Sequence, residues 1–218
     1  MRAALIGATG LVGSALLDHL LATGEAEVHS ISRRASGRTH PRLHDHVAPP
    51  ERWPEIAGAI GAKAAVSALG TTMRAAGSQA AFRAVDLEMV VAFAAAARAA
   101  GADRMVAISS VGADAGSRNF YLRTKGEMEQ ALAALDFDRL DILQPGLLRG
   151  ERTGEPRPAE RLGILLSPLM NILLRGRLDR YAAIDADIVA AAAASALRQP
   201  LPGLYRHDNR AILRLAAQ

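Results

Sequence analysis

Tyr121 and Lys125 stand four positions apart in Tyr121-Leu122-Arg123-Thr124-Lys125, so a helix there presents both from one face. A free phenol titrates at about 10 and is a poor acid or base near neutrality. A nearby ammonium favours the phenolate and lowers that value. The pair therefore suits proton transfer to or from a carbonyl or alcohol oxygen. The chain holds only three Tyr and two Lys, which makes the coincidence informative. Ser109 and Ser110 close an apolar stretch just upstream. A hydroxyl there could hold a carbonyl oxygen while Tyr121 moves the proton. On its own, a Ser pair at a strand end is more often a turn or helix cap.

A second constellation lies at the amino end. Gly7-Ala8-Thr9-Gly10-Leu11-Val12-Gly13 spaces three glycines as G-x-x-G-x-x-G between a short apolar run and a helical pattern. Glycines so placed allow a tight turn, backbone approach to a pyrophosphate and close helix packing. The first helical amides then face the phosphates. An NAD site usually adds an Asp or Glu about 20 residues further on, bonding the ribose 2′-hydroxyl. Here Ser32-Arg33-Arg34 occupies that place, with no acid. Guanidinium groups match a 2′-phosphate in charge and shape, so NADP(H) is expected in preference to NAD(H).

These residues need elements to position them. Ala3 to Ile6, Val28 to Ser32, His44 to Val47, Ala64 to Leu69, Arg104 to Ser109 and Leu140 to Gln144 are strand candidates. Leu11, Val12, Leu16, Leu17, Leu20 and Leu21 mark a helix between the first two. A long Ala-rich helix is predicted from about Gln79 to Ala100, and another over Asn119 to Leu135. Strands apolar on both faces and separated by helices imply a doubly wound parallel sheet, a Rossmann-type α/β fold with helices on both faces. Beyond Pro145 the pattern changes. Arg149 to Arg161 is loop-like, Leu162 to Leu174 is apolar almost all round, and a short strand near Ala182 precedes a helix from Asp185 to Leu197. The expected organisation is one nucleotide-binding domain over 1–218, with small substrate-side additions at 147–180 and 200–218.

Composition narrows the function. The 218 residues carry a formal charge of +4, and half are hydrophobic, which suits a globular core and excludes disorder. Without cysteine, disulfides, thiolate metal sites and Cys nucleophiles are excluded. The missing cysteines and the absence of a signal-peptide pattern at Met1 lead to an expected cytoplasmic location. The apolar 162–174 segment, interrupted by Pro168 and Asn171, is too short to span a membrane. Of 26 basic residues 24 are Arg, but a spread charge of +4 is weak support for nucleic-acid binding, which is not expected. His40, His44, Asp45 and His46 could suggest a metal site. A polar loop entering a third strand is preferred, and no metal is expected.

The combination of glycine turn, Ser after the fifth strand and Y-x-x-x-K helix resembles the short-chain dehydrogenase/reductase superfamily over about residues 1–150. The glycine spacing is closest to its extended and atypical branch. Ala68-Leu69-Gly70-Thr71-Thr72, Val85-Asp86, Ile108-Ser109-Ser110-Val111-Gly112-Ala113-Asp114 and Gln144-Pro145-Gly146 are similar to the small NAD(P)H-binding proteins related to Tat-interacting protein. The resemblance implies pyrophosphate contacts from Gly7, Thr9, Gly10, Leu11, Val12 and Gly13, and 2′-phosphate contacts from Arg33 and Arg34. It places Leu69 and Gly70 along the adenine and ribose, Lys125 on the ribose, and Pro145 and Gly146 by the nicotinamide. Ser110, Tyr121 and Lys125 would be the catalytic set, Ser110 being the better match of the two serines. Asp86 stands where many members carry an Asn that relays protons. The Ser-to-Tyr spacing is slightly short, and the large substrate domain of sugar-nucleotide epimerases is missing. The expected function is NADP(H)-dependent hydride transfer on a small carbonyl or alcohol, with an apolar or carbonyl-bearing substrate, in a monomer or homodimer. A non-catalytic NADPH-binding regulator or scaffold and an NAD-dependent epimerase-like protein are the alternatives.

Overall fold

A computed structural model describes residues 1–150 and 182–218 of the chain. Among these, seven strands form one sheet in which every pair is parallel: β1 (Arg2–Ile6), β2 (Glu27–Ser32), β3 (Leu43–Val47), β4 (Ala64–Ser67), β5 (Arg104–Ile108), β6 (Arg139–Leu143) and β9 (Gly203–His207). The order across the sheet is β3-β2-β1-β4-β5-β6-β9. The expected fold class is therefore observed. The chain winds outward from β1 to β3 and returns to β4 on the other side of β1. The carboxyl ends of β1 and β4 thus flank the point where the winding reverses, where open α/β sheets leave a crevice for ligands. A two-residue pair, β7 (Leu148–Arg149) with β8 (Ile184–Asp185), stands apart from the main sheet.

Each face of the sheet carries its own apolar core. Alternate strand residues point to opposite faces, and β4 and β6 are buried throughout and β1 all but its first residue, as a doubly covered sheet requires. On one face, α1 (Leu11–Thr23) buries Val12, Leu16, Leu17 and Leu20. It packs there with the helices α7 (Ala186–Ala196) and α8 (Asn209–Ala216). The alanines of α7 are explained by this position: α7 lies between α1 and α8, and most of its residues are buried, so small side chains let the backbones approach. On the other face, α2 (Trp53–Ile60), α5 (Val90–Ala99) and α6 (Phe120–Ala133) cover Ala4, Ile6, Ile31, Met105 and Ile142.

The long helix expected over 79–100 is not uniform. After α3 (Met73–Ala76), it begins as α4 (Gln79–Arg83), widens to a π-helical turn over Ala84–Met89 and continues as α5. The wide turn holds Asp86 and Leu87 buried. Such turns favour functional sites because they re-aim a side chain that regular spacing would direct elsewhere. Residues 200–218, expected as a substrate-side addition, carry β9 and α8 and so extend the main sheet and its core. The Leu162–Leu174 segment lies outside the described residues, as do residues 151–161 and 175–181.

Among the described residues, two polar networks tie β9, the terminal strand of the sheet, to β6 and α6. Arg139 and Asp141 pair at 2.6 Å within β6, His207 of β9 reaches Asp141 at 2.7 Å, and the Arg139 guanidinium lies 4.2 Å from the Tyr205 ring centre. Glu129 of α6 accepts from Ser109 Oγ at 2.5 Å, from Gln144 Nε2 at 2.9 Å and from Arg206 Nε at 3.1 Å. The low dielectric makes an unpaired member costly, so these networks hold strand register as units.

Candidate active site

The glycine turn follows β1. Gly7 has φ +86°, and a Cβ there would lie 2.4 Å from the Ala68 carbonyl carbon. A Cβ on Gly13 would lie 2.1 Å from the Gly7 oxygen. Neither position admits a side chain: the turn after β1, the start of α1 and the turn after β4 are packed backbone on backbone. The Gly10 amide donates to Gly7 oxygen at 2.9 Å, which closes the turn. Gly10 then caps α1 in an extended conformation with no side chain covering the first helical amides. Those amides have no partner within the helix, and the helix dipole favours an anion beside them.

Around the turn is a cleft of about 340 Å³ lined by Gly7, Thr9, Ser32, Arg33, Arg34, Trp53 and Leu69. It has room for a nucleoside portion of a ligand. Arg33 and Arg34 are exposed and, among the described residues, form no ion pair with an acid. Arg38, further along the same loop, behaves oppositely. Its guanidinium grips the Asp18 carboxylate and donates to Ser14 Oγ at 2.8 Å, tying the loop to α1. The Asp18 carboxyl is held below its usual range, chiefly by the Arg38 hydrogen bond. The loop is thus anchored by one arginine, while Arg33 and Arg34 beside the cleft pair with no acid among the described residues. The cradle fits a dinucleotide: backbone room, unpaired amides and free cations converge on one opening.

The second half of the site is built on α6. Asn119 caps this helix, its side-chain oxygen accepting from the Leu122 amide at 3.1 Å. Tyr121 packs against Phe82 of α4, ring centres 5.6 Å apart. A Cβ on Gly126 would lie 2.1 Å from the Ala115 nitrogen, so α6 rests directly on the 110–115 turn. That contact seats α6, which carries Tyr121, on the segment that follows Ser110. Lys125 is 4% exposed, and its Nζ lies 2.7 Å from Asp86 Oδ1. The other Asp86 oxygen accepts from the Thr71 amide at 2.8 Å. Gly70 covers the pair: a Cβ there would be 3.4 Å from Asp86 Oδ1.

The two serines are distinguished by their partners. Ser109 is buried, and its hydroxyl is taken by Glu129. Ser110 is half-buried, and among the described residues its hydroxyl makes only a long 3.4 Å contact to the Val111 carbonyl. The Pro145 carbonyl accepts from the Val111 amide at 2.9 Å, which brings the Pro145-Gly146 turn beside the Ser110 turn. Sequence reasoning missed several positioning residues. Asn209 of α8 accepts from the Gly146 amide at 2.8 Å, and its only signal was an Asp-Asn helix start. Trp53 lines the cleft and donates from its indole to the Ala48 carbonyl at 3.0 Å. A glycine in mid-helix was the available signal for the Gly126 contact. Another cleft, of about 350 Å³, lies at the opposite end of the sheet between Ala133, Asp136, Leu140 and Leu204.

Comparisons with known proteins bear on the nucleotide-binding family and on the fold. A family model described as NAD(P)H-binding matches residues 7–165. The curated protein fmp52, mitochondrial, of Aspergillus niger is 38% identical over 208 residues, covering 92% of this chain and 88% of that protein. FMP52-1, mitochondrial, of Scheffersomyces stipitis is 40% identical over 156 residues, covering 70% and 69%. The UDP-glucose 4-epimerase of Thermus thermophilus, solved as a complex with NAD, superposes with a TM-score of 0.70 at 20% identity, over 100% of this chain and 82% of that one. At that identity the likeness concerns the fold. The mitochondrial relatives overturn the expected cytoplasmic location. The physical reason is that a chain without cysteine fits any reducing compartment, so composition had no power to choose.

Proposed function

The chain belongs to the NAD(P)H-binding family, and from that premise we propose that it is an NADP(H)-dependent oxidoreductase of the atypical short-chain type, acting on a small carbonyl or alcohol. The observation that carries the reading is the buried Lys125–Asp86 pair beneath Gly70. A buried ion pair is a poor way to stabilise a fold, because desolvation offsets most of the attraction. A lysine Nζ held by a carboxylate under the turn after β4, on the helix face that carries Tyr121, is suited to a ribose hydroxyl and a phenol. Bound nicotinamide would supply the hydride or accept it. Gly7, Thr9, Gly10, Leu11, Val12 and Gly13 would hold the pyrophosphate, with Leu69 and Gly70 along the nucleoside and Pro145 and Gly146 by the nicotinamide. Arg33 and Arg34 would hold the 2′-phosphate and give the preference for NADP(H). Ser110, whose hydroxyl Glu129 leaves free, would hold the substrate oxygen while Tyr121 transfers the proton. Asp86, in place of a relaying Asn, would act as a positioning residue for Lys125.

The test is Tyr121→Phe, assayed with NADPH against aldehydes, ketones and quinones that the wild-type protein reduces. The variant should bind NADPH as the wild type does and lose turnover by about 10²–10⁴-fold, the usual share of a general acid. Undiminished turnover in Tyr121→Phe would remove the phenol from the mechanism. Binding of NADPH by the wild type, with no turnover on any of these substrates, would favour the regulator reading.

A further inference from the structure

Away from the nucleotide cleft, three imidazoles and a carboxylate meet on the outer strands. β2 and β3 pair so that His29 faces His44 and Ile31 faces His46. Glu27 and His29 share a strand face with Ile31, and His44 and His46 share the matching face of β3. Glu27 Oε1 lies 3.3 Å from His29 Nε2 and 3.2 Å from His44 Nε2. The ligand atoms of Glu27, His29 and His44 all lie within 4.8 Å of one another. Ligands on a tetrahedral zinc ion with bonds of about 2.0 Å stand about 3.3 Å apart, so the two carboxylate–imidazole separations already fit. The His29 and His44 rings are stacked with centres 4.7 Å apart, and His44, which is exposed, is the ring that must turn to complete the set.

The surroundings suit a cation. His29 Nδ1 lies 2.9 Å from His46 Nε2, so in the Nδ1–H tautomer His29 donates a hydrogen bond to His46 and keeps its Nε2 lone pair for an ion. Metal binding takes histidine as the neutral imidazole, so ion uptake at such a set releases protons and strengthens as pH rises. Arg2 approaches only the far oxygen of Glu27, at 3.4 Å, and leaves Oε1 to the histidines.

We propose that Glu27, His29 and His44 form a divalent transition-metal site, oriented by His46 and best suited to zinc, that clips the edge strand β3 to β2. The fourth position opens to solvent on the His44 side and would take water. The sequence pattern around His44 did not reveal the site because two of its ligands come from the other strand. The site is independent of the nucleotide reading.

Untagged protein stripped with a chelator is titrated with Zn²⁺ by calorimetry and with Co²⁺ by visible absorption. The expected result is one ion per chain, with Co²⁺ bands in the region of four- or five-coordinate nitrogen and oxygen ligands. His44→Ala and Glu27→Gln should each weaken Zn²⁺ binding at least about tenfold, and His46→Ala by about 10–100-fold as an orienting partner. Metal-free melting and NADPH affinity should stay close to the wild type in His44→Ala, where the side chain is exposed. His207→Ala, in a separate network, should leave Zn²⁺ binding unchanged. Failure of the wild type to bind a stoichiometric ion, or equal binding by wild type, His44→Ala and Glu27→Gln, overturns the proposal and leaves a hydrogen-bonded imidazole stack.

Discussion

Lys125 and Asp86 are the residues on which the site turns, and their chemistry gives a direct stability prediction. Both are almost wholly buried and 2.7 Å apart. Asp86→Ala removes the counter-charge and should destabilise the protein by about 3–5 kcal/mol in urea unfolding. The double variant Asp86→Ala/Lys125→Met should recover much of that loss, since no unpaired charge remains. A cost below about 1 kcal/mol for the single variant would mean the ammonium reaches water. Histidine supplies a second prediction at this scale. His29 and His46 have folded pKa values below the ordinary histidine value of 6.5. The unfolded chain therefore binds more protons than the folded one as pH falls below about 6.5. Stability should be level above that pH and decline from there toward the folded values, and His29→Gln should flatten the decline. A stability profile rising from pH 6.5 to pH 5 would contradict the burial of these rings. Tyr121, Lys125 and Ser110 were legible as types at a spacing. The pairing of Asp86 with Lys125 was not, because it depends on a π-helical turn that shifts one residue inward and leaves no mark in the periodicity.

At the scale of elements, the glycines separate packing from propensity. Gly13 lies in α1 against the Gly7 carbonyl, with no room for a methyl group. Gly58 lies inside α2 with nothing within 4 Å of where a Cβ would be. Gly13→Ala should therefore displace α1 from the turn and abolish nucleotide binding. Gly58→Ala should raise stability by about 0.5–1 kcal/mol through helix propensity alone, read as a shift in the denaturant midpoint. The buried strands and α1 were legible because their apolar residues run in unbroken blocks or at helical spacing. β9 was not: Tyr205, Arg206 and His207 serve polar networks on an edge strand, so its pattern lacks the apolar run of an inner strand. α2 was hidden by Pro54 and Gly58, although Pro in the first turn of a helix is compatible with its geometry.

For the molecule as a whole, the parallel order β3-β2-β1-β4-β5-β6-β9 brings the turns after β1, β2, β4, β5 and β6 to one edge. Residues far apart in the chain thereby share a cleft: Gly7 with Leu69, Arg33 and Arg34 with Trp53. The doubly wound class was legible from alternating strands and helices, whereas compartment was not, since no element of the fold encodes it. The central claim is that this edge binds a phosphorylated dinucleotide through backbone and arginine. Calorimetric titration of the wild type and of Arg33→Ala/Arg34→Ala with NADPH and with NADH tests it most directly. Each charge-assisted hydrogen bond contributes about 1.5–3 kcal/mol, and about 1.4 kcal/mol is tenfold in affinity. The expected result is one nucleotide per chain and a preference for NADPH of at least about tenfold that the double variant loses, while NADH binding barely changes. Absence of binding by either nucleotide to the wild-type protein would contradict the account.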